Sequence, residues 1–190
     1  MKTLLLKDVV IVGLLFLGFI FIDKLLPNYN HNSIPPAIVP VNDTIHIKGL
    51  GNFNSSSLDE AKNILESTFG VICVIKTPEK TKNNMYFDGG SKLEVNSVVK
   101  NLRENNKIVL ITNDLIFNIE TGHSLKGYTN DGGKIMIIRK NDLRRTIIHE
   151  FGHSLGLDHC NKKTCVMGIN NDNEDDGQFC NNCKLKLNLK

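Results

Sequence analysis

The 190-residue chain has no tryptophan, and aromatic residues make up only 6% of it. Proteins that bind single strands stack bases on aromatic side chains set among basic ones, and no such stretch occurs here. Net positive charge is also small, at +3, and no basic stripe appears. Nucleic acid is therefore not an expected partner. No internal repeat is visible, which excludes a solenoid or propeller. Proline is limited to 5 residues, and Pro27, Pro35, Pro36 and Pro40 fall in one stretch. Cysteine is sparse and odd in number, at 5. Cys73 lies in the apolar run Gly70 to Ile75 and reads as a buried strand thiol.

One long apolar run is present, from Val9 to Ile22. Counted strictly it is shorter than the roughly 20 residues that span a bilayer. Counted from Leu4 to Leu26, with Lys7 and Lys24 snorkelling, it is long enough. Residues 1–26 are therefore expected to be an N-terminal signal anchor or, alternatively, a cleaved signal peptide. Lys2 and Lys7 place the amino end in the cytoplasm by the positive-inside rule, with the catalytic domain outside it. This makes the membrane an expected partner; secretion after cleavage is the alternative. Residues 27–43, rich in Pro and Asn, read as a linker.

The folded domain is expected over 44–190. Ile45-His46-Ile47 alternates like a strand, and Ser57-Leu58-Asp59-Glu60 is a capping box that opens a helix to Phe69, with Gly70 at its end. Strands are expected at 70–76 and 107–112, with a helix between them from Ser91 to about Asn105. Residues 77–90 carry little pattern. Ser124 to Thr129 and Lys134 to Ile138 read as a hairpin about the turn Asn130-Asp131-Gly132-Gly133. This order predicts an α+β fold with a mixed sheet.

The stretch from His149 to Cys160 organises the rest. His149-Glu150-Phe151-Gly152-His153 is H-E-x-x-H, and Gly156 and His159 follow at metzincin spacing. On a helix, residues four apart are separated by about 400°, so His149 and His153 share one face. Glu150 lies about 100° round, where a general base should stand. Leu143, Ile147, Ile148, Phe151 and Leu155 form the opposite, apolar side. Gly156 stops the helix and lets the chain return His159 towards the other two imidazoles. Three protein ligands leave one position open, the arrangement of a catalytic zinc site.

A second constellation follows: Cys160, Cys165, and Cys180-Asn181-Asn182-Cys183. Its C-x-x-C spacing fits a structural Cys₄ zinc site. Disulfides are the alternative if the domain is extracytoplasmic. The acidic, Asn-rich stretch 168–178 reads as a solvated loop.

His149 to His159, with Cys160, Cys165-Val166-Met167, Cys180 and Cys183, resembles the archaemetzincins, a family of metzincin metalloproteases. The resemblance implies a zincin-like α+β fold, with a mixed sheet of about five strands over the active-site helix. It implies catalytic zinc on His149, His153 and His159, with Glu150 as base. It also implies a second zinc on Cys160, Cys165, Cys180 and Cys183, and gives Met167 the place of the Met-turn methionine. The expected function is zinc-dependent hydrolysis of a peptide or protein substrate by a monomer, with two zinc ions per chain. A catalytically silent, zinc-stabilised binding module is the rival.

Overall fold

The computed structural model describes residues 44–168 and 177–189. Alternation sets the first strand: in β1 (Thr44–Gly49) every second residue is buried. β1 pairs in parallel with β2 (Ile72–Ile75) on one side and β5 (Ile108–Thr112) on the other. β5 in turn pairs in parallel with β9 (Ile135–Arg139). β5 is buried at every position and β9 at all but its last, as parallel strands covered on both faces require. β8 (Gly127–Thr129) pairs antiparallel with β9 at the edge and completes a mixed five-stranded sheet in the order β2-β1-β5-β9-β8.

Period-two alternation divides the core. Ile45, Ile47, Val109, Ile111, Met136 and Ile138 face one side of the sheet. They pack with α1 (Ser55–Phe69) and α3 (Leu143–Ser154). Ile108, Leu110, Ile135 and Ile137 face the other, where they meet Leu93, Ile116 and the helix α2 (Val95–Asn101).

The second side carries structure that composition did not announce. The polar stretch 77–90 supplies β3 (Tyr86–Phe87), β4 (Lys92–Glu94) follows it, and β6 (Leu115–Asn118) comes after β5. With β7 (His123–Leu125) they form a four-stranded sheet in the order β3-β4-β6-β7. The helix expected from Ser91 therefore begins only at Val95. Glu94 caps it, its carboxylate accepting from Asn96 N at 3.2 Å and Ser97 N at 2.6 Å. The strand expected over Ser124–Thr129 is divided between two sheets: Leu125 pairs with Ile116 and Gly127 with Ile138, so the chain crosses at Lys126. In α1 the cap is Asn54, whose Oδ1 accepts from Ser56 N, and not Ser57, whose hydroxyl is buried without a hydrogen-bond partner. The turn 130–133 stands as read. Asn130 Oδ1 accepts from Lys134 N and Ile135 N, and Gly133 has φ +62°.

The membrane expectation is corrected. Among the described residues no helix is long and apolar enough to cross a membrane. The run Val9 to Ile22 lies outside them, and it falls short of a span unless Lys7 and Lys24 are counted in. The transmembrane anchor, the membrane as partner, and the extracytoplasmic or secreted placement built on it are withdrawn. The linker over 27–43 and most of the acidic loop, 169–176, also lie outside the described residues.

Candidate metal centre and catalytic cleft

α3 lies against the sheet through its apolar side. Leu143, Ile147 and Phe151 are buried, and the Phe151 ring meets that of Phe69 at 4.5 Å. Its C-terminus ends in a Schellman turn: Gly156 N donates to His153 O and Leu157 N to Gly152 O. Gly156 has φ +86°, a conformation glycine adopts without steric cost. Beyond this turn the chain doubles back and returns His159 to the face of α3 that carries His149 and His153.

The three rings converge. Their centroids are 4.7 Å apart for His149–His153 and His153–His159, and 5.3 Å for His149–His159. One nitrogen from each lies within 4.8 Å of the others, so the group could hold a metal ion. His149 Nδ1 donates to Val166 O at 2.7 Å, and His153 Nδ1 to Leu157 O at 2.8 Å. With both Nδ1 atoms protonated, the two Nε2 lone pairs face each other at 3.0 Å. That is repulsive for neutral rings alone. It fits a shared cation, since a tetrahedral zinc with ordinary Zn–N bonds would separate two nitrogens by about 3.3 Å. Burial holds His149 in the neutral form, its pKa lowered to about 4, and lowers that of His153 as well.

Glu150 lies beside these rings and is buried. Burial pushes its carboxyl up to about 7, against the opposing effect of a hydrogen bond from Thr129. Thr129 Oγ1 lies 2.6 Å from Glu150 Oε2 and 3.0 Å from Glu150 O. Gly127 allows this fit, because a Cβ there would come within 2.6 Å of Glu150 Cγ, Glu150 Oε1 and Thr146 Cγ2. These residues border a cleft of about 540 Å³ that also takes in His149, His153 and His159. Tyr128 turns from the chemistry: its hydroxyl pairs with Asn96 Oδ1 at 3.3 Å.

Met167 is fully buried under α3, where a Cβ on Gly152 would lie 2.6 Å from its Sδ. Glycine at 152 is thus what lets Met167 approach the helix between the two histidines. The segment that carries Met167 is tied back by a bond from Cys160 N to Met167 O at 2.7 Å.

The other four cysteines also meet. Cys160, Cys165, Cys180 and Cys183 bring their sulfurs within 4.8 Å of one another. The Sγ atoms are 3.8 Å apart for Cys160–Cys180 and 3.7 Å for Cys165–Cys183, and all four residues are free thiols. A disulfide would bring two sulfurs to about 2.0 Å. Four sulfurs on a tetrahedral zinc would be about 3.8 Å apart, so the cluster fits that ion. Backbone N–H groups of Lys162 and Cys180 donate to Cys160 and Cys165 Sγ, each at 3.3 Å, as suits thiolates. Burial raises the Cys180 thiol, but hydrogen bonds from the Cys183 backbone and the neighbouring thiols outweigh it and bring it down to about 7. Cys73 is separate, buried on β2, its thiol pushed up to about 12 by burial.

A helix that presents two histidines, a third histidine beyond a glycine turn and a mixed sheet above define a zincin-like α+β protein. A family model described as Peptidase family M54 matches residues 56–189, and the chain belongs to that family, the archaemetzincins. An archaemetzincin of Aeropyrum pernix is 44% identical over 52 residues, covering 25% of this chain and 28% of that protein. One of Sulfolobus acidocaldarius is 45% identical over 49 residues, covering 24% and 28%. The matched stretches thus span little more than a quarter of either relative. The solved archaemetzincin structures from Archaeoglobus fulgidus and Methanopyrus kandleri share the fold. The first has a TM-score of 0.65 at 20% identity, covering 75% of this chain and 99% of its own. The second has 0.62 at 16%, covering 80% and 97%.

Sequence reasoning singled out the seven candidate ligands, Glu150 and Met167. It gave no role to Gly127, Thr129 and Gly152, nor to the carbonyls of Val166 and Leu157 that orient the imidazoles. Backbone acceptors leave no trace in residue identity.

Proposed function

We propose that the chain is a zinc-dependent metallopeptidase in which Glu150 is the general base. The observation that carries this reading is a buried carboxyl, held by Thr129, beside imidazoles whose lone pairs converge. His149, His153 and His159 would hold the catalytic zinc. Cys160, Cys165, Cys180 and Cys183 would hold a second, structural one, giving two per chain. The catalytic zinc would supply a Lewis acid for the scissile carbonyl and lower the pKa of water in the cleft towards neutrality.

The chain's own residues do the rest. Thr129 engages Glu150 Oε2, which leaves Oε1 to take a proton from the attacking water. The water oxygen bonds to the carbonyl carbon. As the C–N bond breaks, the same carboxyl delivers its proton to the leaving amine. The carbonyls of Val166 and Leu157 fix the tautomers of His149 and His153, and so keep Nε2 of each unprotonated. The edge strand β8 borders the cleft and would pair with the backbone of the substrate.

The test is hydrolysis of a mixed peptide library, read by mass spectrometry. Zinc-loaded protein is expected to release products, a chelator to stop release, and added zinc to restore it. Protein that retains zinc yet cleaves nothing would favour the silent binding module instead.

A further inference from the structure

A helix leaves its last four carbonyls without donors of its own, and their partners must come from elsewhere. In α3 these are the carbonyls of Phe151, Gly152, His153 and Ser154. The chain that follows serves three of them: Leu155 N donates to Phe151 O, Leu157 N to Gly152 O and Gly156 N to His153 O. The fourth, Ser154 O, accepts from Lys107 Nζ at 3.1 Å. The helix dipole favours a cation at this end, yet the last turn of α3 has no Lys or Arg, its basic residue there being His153. The cation is brought by another element.

Lys107 stands just before β5, the middle strand of the five-stranded sheet. Its carbonyl accepts from His46 N at 2.9 Å, and Ile108 N donates to Lys134 O at 2.8 Å, so the sheet holds this point from both sides. By the period of two its side chain shares the face of Val109 and Ile111, on which α3 packs. The ammonium lies 5.6 Å from the centre of the Phe151 ring, a cation–π contact that keeps it over the helix end. Gly133 closes on Ser154 as well, since a Cβ there would come within 2.9 Å of Ser154 O. The turn that begins at Ser154 governs two of the three imidazoles. Leu157 O accepts from His153 Nδ1 at 2.8 Å, and His159 follows two residues later.

We propose that Lys107 is a positioning residue of the histidine centre: by holding Ser154 O it sets the turn 154–157, and through that turn the orientation of His153 and the return of His159. The proposal rests on the metallopeptidase reading above. Neither Lys107 nor Ser154 borders the cleft, so neither meets substrate. An ammonium that donates to a carbonyl makes a charge-assisted bond, roughly twice as strong as a neutral one. Because the donor stands on the sheet, the end of α3 is tied to the element that also carries β9 and β8. Metal sites depend on groups that orient their ligands, and removing one costs about 10–100-fold in metal affinity. Lys107 acts one bond further out, so the lower end of that range applies.

Two substitutions separate positioning from plain stabilisation. Lys107→Met keeps an aliphatic stem against Phe151 but removes the donor and the charge, whereas Lys107→Arg keeps both. Competition with a chelator gives the dissociation constant of each bound zinc. Lys107→Met is expected to weaken the imidazole-held ion about tenfold. The cysteine-held ion, measured alone in a His153→Ala background, should be unaffected, and Lys107→Arg should recover most of the loss. A helix cap that serves stability alone would lower the melting temperature of Lys107→Met and leave both constants unchanged, which would overturn the proposal. A wild type with no zinc on its imidazoles would refute the metallopeptidase reading, and the ring of His153 then decides on Lys107. In protein without metal at the imidazoles, NMR reads the exchange of the His153 Nδ1 proton with water. Exchange about tenfold faster in Lys107→Met, as loss of a hydrogen bond provides, and slow again in Lys107→Arg, upholds the positioning role. Equal exchange in wild type and Lys107→Met refutes it.

Discussion

Glu150→Gln is expected to lower peptide hydrolysis by roughly 10²–10⁴-fold, the usual contribution of a positioned general base, while the protein keeps its full zinc content. The substitution preserves the shape of the side chain. It still offers an oxygen to Thr129, whose hydroxyl lies 2.6 Å from Oε2 in the wild type, but it can no longer accept the proton of water. Because none of the converging nitrogens belongs to residue 150, the imidazole cluster should be unchanged. Thr129→Val should cost less, roughly 10–100-fold, as a change behind the reacting group, and Thr129→Ser should restore most of it. Steady-state kinetics with metal analysis on each variant checks the order. Glu150→Gln turning over at the wild-type rate with zinc bound would remove Glu150 as base.

The second large effect concerns stability. Cys165→Ser is expected to lose one zinc, lower the melting temperature sharply and abolish activity. A structural zinc contributes on the order of 10 kcal/mol, against a total of about 5–15 kcal/mol for a typical domain. Cys165 is fully buried, so the lost ligand cannot be replaced by bulk water without opening the segment. The consequence reaches the cleft because Cys160 follows His159 directly and bonds through its N–H to Met167 O. Without the cysteine cluster the backbone that presents the third imidazole loses the anchor that follows it directly at Cys160. Cys73→Ser is the control: that sulfur lies outside the cluster, and both zinc ions should remain. Thermal unfolding and zinc content of the two variants measure this directly. A Cys165→Ser protein as stable as the wild type would exclude a structural role for the cluster.

How much of this was legible depends on how each feature is written into the chain. The metal-facing helix was readable because a period of 3.6 sets His149 and His153 on one side and Leu143, Ile147 and Phe151 on the other. The five-stranded sheet was readable in its buried strands, where β5 and β9 each open with four apolar residues, Ile108 to Ile111 and Ile135 to Ile138. The second sheet was not. β3, β4 and β7 are two or three residues long, too short for alternation to register, and tertiary pairing alone makes them strands. The division of Ser124–Thr129 at Lys126 was hidden for the same reason. Ser57 showed a capping signature, yet Asn54 three residues earlier won the helix start, since both carry side-chain oxygens suited to it. The apolar leader was read from hydropathy alone, which marks length and polarity but not whether a run enters a bilayer.

The rival binding module would have no use for a carboxyl held inside the protein at a cost in desolvation. Glu150 is buried beside the three rings and bonded by Thr129, a placement that a purely structural site does not need.

Zinc counted per chain, in the wild type and in His153→Ala, is the measurement closest to the centre of this account. Two ions in the wild type and one in the variant, with hydrolysis lost but the cysteine-held ion retained, is the expected result. A wild type with a single zinc that His153→Ala leaves in place would show that the imidazoles hold no metal, and the account would fail with them.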